Sequence, residues 1–264
     1  MLRITYRIIF IAAIISSFLF IQEVRAQTAP PASQNGGCTL NQDEFVKLAA
    51  VENDPTLGYL AELTQELQIR KELLSETMDC AIAQATALQT SLAAISTPDA
   101  GVKAARAQAK NLLGNAITYY GLQKSNIPNL GIQGSKNFAA SLEAWRAGNY
   151  APVAKEASDI LIWTGNQNLI VTAQTRMNQM GHTMGILDLA GESNLTALWS
   201  DAQANFKATL NFNDAARAAL GNGGGPDEAL GDIKLSLDAL SVAYQKLSDM
   251  NNVITNSTSS AQSQ

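Results

Sequence analysis

The chain has 264 residues, a formal net charge of −5 and a single histidine. Its apolar content of 46% is ordinary for a globular protein, whereas aromatic residues make up only 6%. The mild acidity and the lack of a basic cluster argue against nucleic acid as a partner. One histidine argues against zinc sites with two or three histidines, Glu-x-x-His di-iron motifs and most Ser/His catalysis.

The first 26 residues have the pattern of a secretory signal peptide. Arg3 and Arg7 precede an apolar stretch over residues 8–21, and Val24-Arg25-Ala26 has the small residues of a cleavage site. The sequence therefore predicts cleavage after Ala26 and a secreted or periplasmic protein. The alternative is an uncleaved membrane anchor, because the stretch is short for a span but long for a signal. We expect contact with a membrane only through this segment, and only if it is uncleaved.

Three further regions follow the predicted signal peptide. Residues 27–40 are rich in Pro, Ala, Ser, Asn and Gly, which is typical of a flexible leader. Residues 41–256 are predicted to form one helical-bundle domain. Residues 257–264 contain only Ser, Thr, Ala and Gln, so a disordered tail is expected.

The most regular stretch covers residues 57–95. Apolar residues recur there every seven positions, at Leu60, Leu67, Leu74, Ala81, Leu88 and Ile95. This repeat predicts one long α-helix with an apolar stripe on one face, started by Asp54-Pro55 and ended by Thr97-Pro98-Asp99. The charged residues between the stripe positions are predicted to form its solvated face; they are Glu62, Glu66, Arg70, Lys71, Glu72, Glu76 and Asp79.

The same periodicity predicts helices before and after this one. A short helix over 42–52 is expected to begin with a capping box of Asn41 and Glu44. A loop is expected over 124–134, and Gly148-Asn149 is expected to end the short helix that follows it. A kink or break is expected near Gly165. The later helices are predicted over 99–123, 138–147, 152–189, 194–220 and 226–256.

No segment alternates apolar and polar residues between turn signals, as a strand would. The predicted fold class is therefore all-α, an elongated antiparallel helical bundle of long hairpins with coiled-coil-like seams.

The two cysteines, Cys38 and Cys80, lie on the exported side of the predicted cleavage site. An even count in an exported chain predicts a disulfide, which would close a loop of about forty residues. Such a bond is worth about 4 kcal/mol in the chain-entropy model. The alternative is a pair of free thiols.

The aromatic residues suggest one candidate pocket. Trp145, Trp163, Trp199 and His182, with Tyr150 nearby, could line a ligand site between helices. The alternative is that these side chains are core residues, because aromatics at helical spacing commonly are.

The sequence predicts no catalytic residue, metal site or cofactor, since no nucleotide loop, metal-ligand spacing or catalytic constellation is present. The function that we expect is that of an exported, non-enzymatic structural or protein-interaction protein with a protein partner in the cell envelope. The alternative is an extracytoplasmic small-ligand-binding or sensor module that uses the Trp and Tyr pocket. An enzyme that uses only carboxylates is the least favoured class, because no acid pair stands in an apolar stretch.

Overall fold

The computed structural model describes residues 42–186, 193–222 and 226–262. Every regular element in these ranges is helical and none is a strand, which confirms the all-α prediction. Five helices are long, as predicted. The α-helices are α1 (Gln42–Glu52), α2 (Tyr59–Ala94), α3 (Ala100–Asn126), α4 (Ile132–Trp145), α5 (Ala151–Ile186), α6 (Ser193–Gly221) and α7 (Pro226–Gln262). A 3₁₀ turn, Ile127–Asn129, follows α3, and a π-helical turn, Arg146–Tyr150, joins α4 to α5.

Several predictions fall outside the described residues. They are the signal peptide over 1–26, the leader over 27–40, Cys38 and the cap at Asn41. None of the helices in the described ranges is long and apolar enough to cross a membrane.

The described helices group into two compact units. The first consists of residues 42–91 and 109–154, and the second of residues 92–108 and 155–262. The single domain over residues 41–256 stays a prediction.

In the first unit, α2 and α3 form an antiparallel hairpin. Gln89 Nε2 donates a hydrogen bond to the Lys110 carbonyl at 3.0 Å, and Lys124 Nζ lies 2.6 Å from Asp79 Oδ1. As residue numbers fall along α2 they rise along α3, so the predicted hairpin is confirmed. Both helices contribute small and medium-sized buried side chains, among them Leu74, Met78, Ala81, Ala85, Leu113 and Ala116.

The start of α2 differs from the predicted one. Asp54 Oδ1 accepts hydrogen bonds from the Thr56 N–H at 2.8 Å and the Thr56 hydroxyl at 2.6 Å, which forms a local turn instead of a helix cap. The helix begins only after Gly58, whose carbonyl accepts the first intrahelical bonds. Leu60, the first residue of the predicted stripe, is 77% exposed, so the buried part of the stripe starts later.

Two residues of the predicted solvated face of α2 are buried. Glu66 is 6% exposed and Arg70 is 5% exposed. Arg70 Nε lies 2.8 Å from Glu66 Oε1, and Arg70 Nη2 lies 3.0 Å from Glu52 Oε1 on α1. The solvated-face prediction was wrong here because α1 covers this side of α2, with Leu48 packed against Ile69.

The predicted end at Gly148-Asn149 is also absent. The chain runs from α4 through the π-helical turn into α5, and the Ala151 N–H donates to the Arg146 carbonyl, five residues back. Pro152 has no N–H and its ring needs space near the carbonyl four residues earlier, which a widened π turn can provide. Farther on, α5 remains unbroken through Gly165.

In the second unit, α6 is antiparallel to both of its neighbours. Trp163 Nε1 on α5 donates to the Asn213 carbonyl on α6 at 3.3 Å, while Gly181 on α5 faces Trp199 near the start of α6. On the other side, the Ser236 hydroxyl of α7 donates to the α6 Thr209 carbonyl at 3.0 Å, and Lys246 Nζ lies 3.1 Å from Asp201 Oδ2. The α6–α7 pair is therefore a second antiparallel hairpin, as predicted.

Helices α5 and α7 are parallel to each other. Lys155 pairs with Asp227 near the start of both, and the Arg176 guanidinium lies 5.2 Å from the centroid of the Tyr244 ring farther along both. The three helices thus enclose a common core. Its buried residues are Ile170, Ala173, Met177, Met184, Leu195, Ala202, Phe206, Leu240, Ala243, Leu247 and Met250.

The turn between α2 and α3 belongs to the second unit and packs on the end of α6. Asp99 caps α3, since its Oδ1 accepts from the Val102 N–H at 2.8 Å, and Asp99 Oδ2 lies 3.3 Å from Arg217 Nη1. A Cβ added at Gly101 would lie 3.2 Å from the Gly221 Cα, so these backbones touch without intervening side chains.

The last helix extends beyond its predicted end near residue 256. It continues to Gln262, because no Gly or Pro follows Gly231 to interrupt it. Most of the predicted tail over 257–264 is therefore helical.

Candidate functional site: a groove between α5 and α6

An open groove with a volume of about 400 Å³ lies between α5 and α6 in the second unit. Its lining residues recur at spacings of three and four, so each helix contributes one face. They are Gln174, Met177, Asn178 and Gly181 from α5, and Trp199, Gln203, Phe206, Lys207 and Leu210 from α6.

The floor of the groove is apolar and continuous with the core. Met177 and Phe206 are buried members of the core cluster, and the partly buried Trp199 packs against it. A Cβ at Gly181 would lie 3.2 Å from Trp199 Cζ2, so the indole lies directly against the glycine backbone. Leu210 remains 37% exposed at the other end. An apolar ligand could therefore cover both Trp199 and Leu210.

The rim of the groove is polar, and none of the described residues that line it is an acid. Gln174 Nε2 donates to Asn178 Oδ1 at 3.0 Å on α5, and Gln203 and Lys207 stand opposite on α6. Carboxamides both donate and accept hydrogen bonds, so this rim suits a peptide or another polar ligand edge. Lys207 forms no ion pair within the described part of the chain.

The described stretches of α5 and α6 beside the groove contain few acidic residues. From residue 160 to residue 186, α5 contains no Asp or Glu. Between residues 193 and 213, the only acid of α6 is Asp201, and its carboxylate is paired with Lys246. The described residues that line the groove therefore include no acidic side chain that would oppose an approaching anion.

A pair of amides closes one end of the groove. Gln167 Nε2 donates to Asn213 Oδ1 at 2.8 Å, directly beyond Gln174 and Leu210. Because Gln203, Leu210 and Arg217 are seven residues apart, they lie on one face of α6. Arg217 contacts the α2–α3 turn, so this face of α6 packs against a segment of the same unit at one end and lines the groove farther along.

The groove contains one of the four residues of the predicted pocket. Trp199 lines it, and His182 is exposed beside Gly181. Trp163 is 4% exposed and bonded to the Asn213 carbonyl. Since Asn213 is two heptads after Trp199, about 1.5 Å per residue places Trp163 and Trp199 roughly 20 Å apart along the bundle. These two rings do not share a pocket.

The fourth residue, Trp145, is part of an aromatic cluster in the first unit. Its ring stacks on Tyr119 at 3.8 Å and meets the buried Tyr120 edge-on at 5.2 Å. Tyr120 meets Tyr150 at 5.8 Å, and the Arg146 guanidinium lies 5.3 Å from the Tyr150 ring centroid. Burial raises the pKa of the Tyr120 hydroxyl. This cluster packs the π-helical turn against α3 and is a core element rather than an open pocket.

Two other predictions concern sites. Cys80 is almost completely buried on α2, while Cys38 lies outside the described residues, so their disulfide stays a prediction. No group of three or more His, Cys, Asp or Glu side chains within the described ranges is arranged to hold a metal ion.

Of the residues that line the groove, only Trp199 was predicted from the sequence to line a pocket. Gln174, Gln203 and Lys207 are ordinary surface residues of their own helices, and only the pairing of α5 with α6 makes them neighbours. A usable signal was Gly181 within a long helix, because a glycine there permits close approach of a large side chain.

No family model matches the chain, and neither the curated proteins nor the solved structures include a significant match to it.

Proposed function

We propose that the chain is an exported, non-enzymatic interaction protein that binds an amphipathic helix of a partner protein in the groove between α5 and α6. The observation that carries this proposal is the groove itself, with its apolar floor, its carboxamide rim and its open side. A helix bound between two helices buries one apolar stripe and leaves its polar face in solvent.

The dimensions of the groove suit such a ligand. From Trp199 to Leu210 it follows α6 for about three turns, or roughly 16 Å at 1.5 Å per residue. A partner helix of that length offers apolar side chains at positions i, i+3 or i+4, and i+7. Trp199 lies partly buried at one end of the groove. Tryptophan is one of the residue types that most often dominate the binding energy of protein interfaces.

The charges favour an acidic partner. Lys207 stands on the rim, and none of the described residues that line the groove is an acid. Acidic residues along the polar edge of the bound helix would meet complementary charge, which increases the association rate and disfavours basic partners.

Export and a Cys38–Cys80 disulfide are part of the same proposal. The basic start, apolar stretch and small-residue site of residues 1–26 support export, and an oxidising compartment would allow the two cysteines to pair. Intact-mass measurement of the exported protein should show a chain that begins at Gln27. Peptide mapping without reductant should recover the two cysteine peptides linked, whereas alkylation of both thiols in the fresh protein would exclude the bond.

Site-directed photocrosslinking in the intact cells of the source tests the interaction. A photoreactive amino acid at Gln203 should yield one discrete protein adduct, and the same group at Ser241, exposed on α7, should not. Mass spectrometry of the adduct should map an acidic, amphipathic helical segment. An adduct with a second copy of this chain, a segment without that pattern, or equal labelling from Ser241 would each contradict the proposal.

A small-molecule sensor is the second candidate. The volume of about 400 Å³ falls within the usual range for small-ligand sites, and Trp199 offers a ring for stacking. Native mass spectrometry of the protein purified from its source distinguishes this function, since a bound metabolite would add a defined mass that Trp199→Ala removes.

A further inference from the structure

The second unit contains a carboxyl group that the groove does not use. Asp159 lies on α5 and is 1% exposed. Neither Oδ1 nor Oδ2 has a hydrogen-bond partner within the described part of the chain. Burying an ionised carboxylate without hydrogen bonds costs much more free energy than burying the neutral acid.

Four charged side chains act on this carboxyl group from two helices. Lys155 and Glu156 belong to its own helix, and Asp227 and Lys234 belong to α7. The Lys155 ammonium is already bonded to the Asp227 carboxylate, so it is shared between two acids. Burial is the main reason why the pKa of Asp159 rises to about 7; Lys155 and Lys234 oppose the rise, and Asp227 and Glu156 add to it.

The position of Asp159 links it to the contact between α5 and α7. It follows Lys155 by four residues and so lies on the same face of α5, next to the Lys155–Asp227 pair. On α7, Ala229 and Ile233 are buried over the same stretch. Ionisation of Asp159 would place a negative charge beside this apolar contact.

We propose that Asp159 is a proton-dependent contact, which holds the start of α7 against α5 when it is protonated and loosens that contact when it is ionised. This device is independent of the groove, whose nearest lining residue, Gln174, lies fifteen positions farther along α5.

The direction of the pH effect follows from the difference between the folded and the unfolded chain. An unfolded aspartate ionises near pH 4, while the folded protein retains this proton up to about pH 7. Asp159 therefore contributes stability that is fully present below pH 4 and is lost as the pH rises to 7. The unfolding constant should rise about tenfold per pH unit in this window, or roughly a thousandfold in total, from this group alone.

Urea denaturation between pH 4 and 8 tests the proposal when the protein is compared with Asp159→Asn and with Asp238→Asn, a control at an exposed acid on α7. Asp159→Asn should abolish most of the loss of stability between pH 4 and 7, and Asp238→Asn should preserve it. An identical pH dependence in all three proteins would overturn the proposal.

Two measurements on the unmodified protein test the role of Asp159 even if Asp159→Asn does not fold. The carboxyl ¹³C resonance of Asp159 should titrate with a midpoint near pH 7, and a midpoint near pH 4 would refute the proposal. Amide hydrogens over residues 229–234 should also exchange faster at pH 8 than at pH 6 after correction for intrinsic rates. Unchanged protection would mean that ionisation does not loosen α7.

Discussion

The contact between Gly181 and Trp199 provides the sharpest test of the groove geometry. Replacement of Gly181 by Ala adds one methyl group in the middle of α5, 3.2 Å from Trp199 Cζ2 and 3.5 Å from Cη2. The first distance is shorter than an ordinary contact between carbon atoms. The ring must therefore move away from α5, or the helices must separate.

Two opposing effects set the size of the change. Gly→Ala inside a helix stabilises by about 1 kcal/mol, mainly because the unfolded chain loses conformational freedom. Overpacking costs about 1–3 kcal/mol. Since Trp199 is partly exposed and can shift, we expect Gly181→Ala to destabilise the protein by about 0–2 kcal/mol.

Gly165 on the same helix is a matched control, because a Cβ there meets nothing within 4 Å. Gly165→Ala should stabilise the protein by about 0.5–1 kcal/mol. Urea denaturation followed by circular dichroism measures both variants, and their free energies of unfolding should differ by about 1–3 kcal/mol. If Gly181→Ala stabilises the protein as much as Gly165→Ala does, the indole does not rest on Gly181 and the described groove is incorrect.

Three further changes test other parts of the molecule. Tyr120→Phe removes a buried hydroxyl that lacks a hydrogen-bond partner within the described ranges, so denaturation should show unchanged or increased stability, by up to about 1 kcal/mol. Arg70→Ala removes the shorter ion pair of the buried Glu66 and leaves it only Lys136, whose Nζ lies 3.8 Å away, so the change should cost up to about 3–5 kcal/mol by the same assay; a cost below about 1 kcal/mol would mean that the Arg70–Glu66 pair is solvated. Lys207→Glu should weaken the Gln203 photoadduct, and the effect should diminish as the salt concentration rises; an unchanged adduct at low salt would exclude an acidic partner.

The apolar periodicity of the sequence predicted the long helices and their hairpins, because each stripe must be buried against a neighbour. The predictions failed where a neighbour could not be inferred. Nothing in the spacing of Glu66 and Arg70 shows that α1 covers them, since the same charges on an uncovered helix would be solvated. Gly148-Asn149 is a valid local stop signal, but the continuous path from α4 to α5 overrides it. Apolar spacing and capping residues therefore predict where helices form, whereas the burial of a given side chain depends on tertiary contacts.

Asp159 illustrates the same limit for functional residues. Its neighbours Ala157 and Ile160 are apolar, yet a helix with one acid among apolar residues commonly turns that acid to solvent. Burial in the folded chain raises the pKa of this carboxyl group, and the local sequence does not reveal that burial. The groove residues were likewise unpredictable, because their proximity depends on the register between α5 and α6.

The α2–α3 turn has a consequence for any helix that lies in the groove. It occupies the face of α6 at Arg217 and Gly221, in line with Gln203 and Leu210. A partner helix that extends in this direction would therefore collide with the α2–α3 turn. The stretch of α6 from Trp199 to Asn213 measures about 20 Å at 1.5 Å per residue. The α2–α3 turn thus limits the length of helix that the groove can bind. A bound helix of about four turns fits this length.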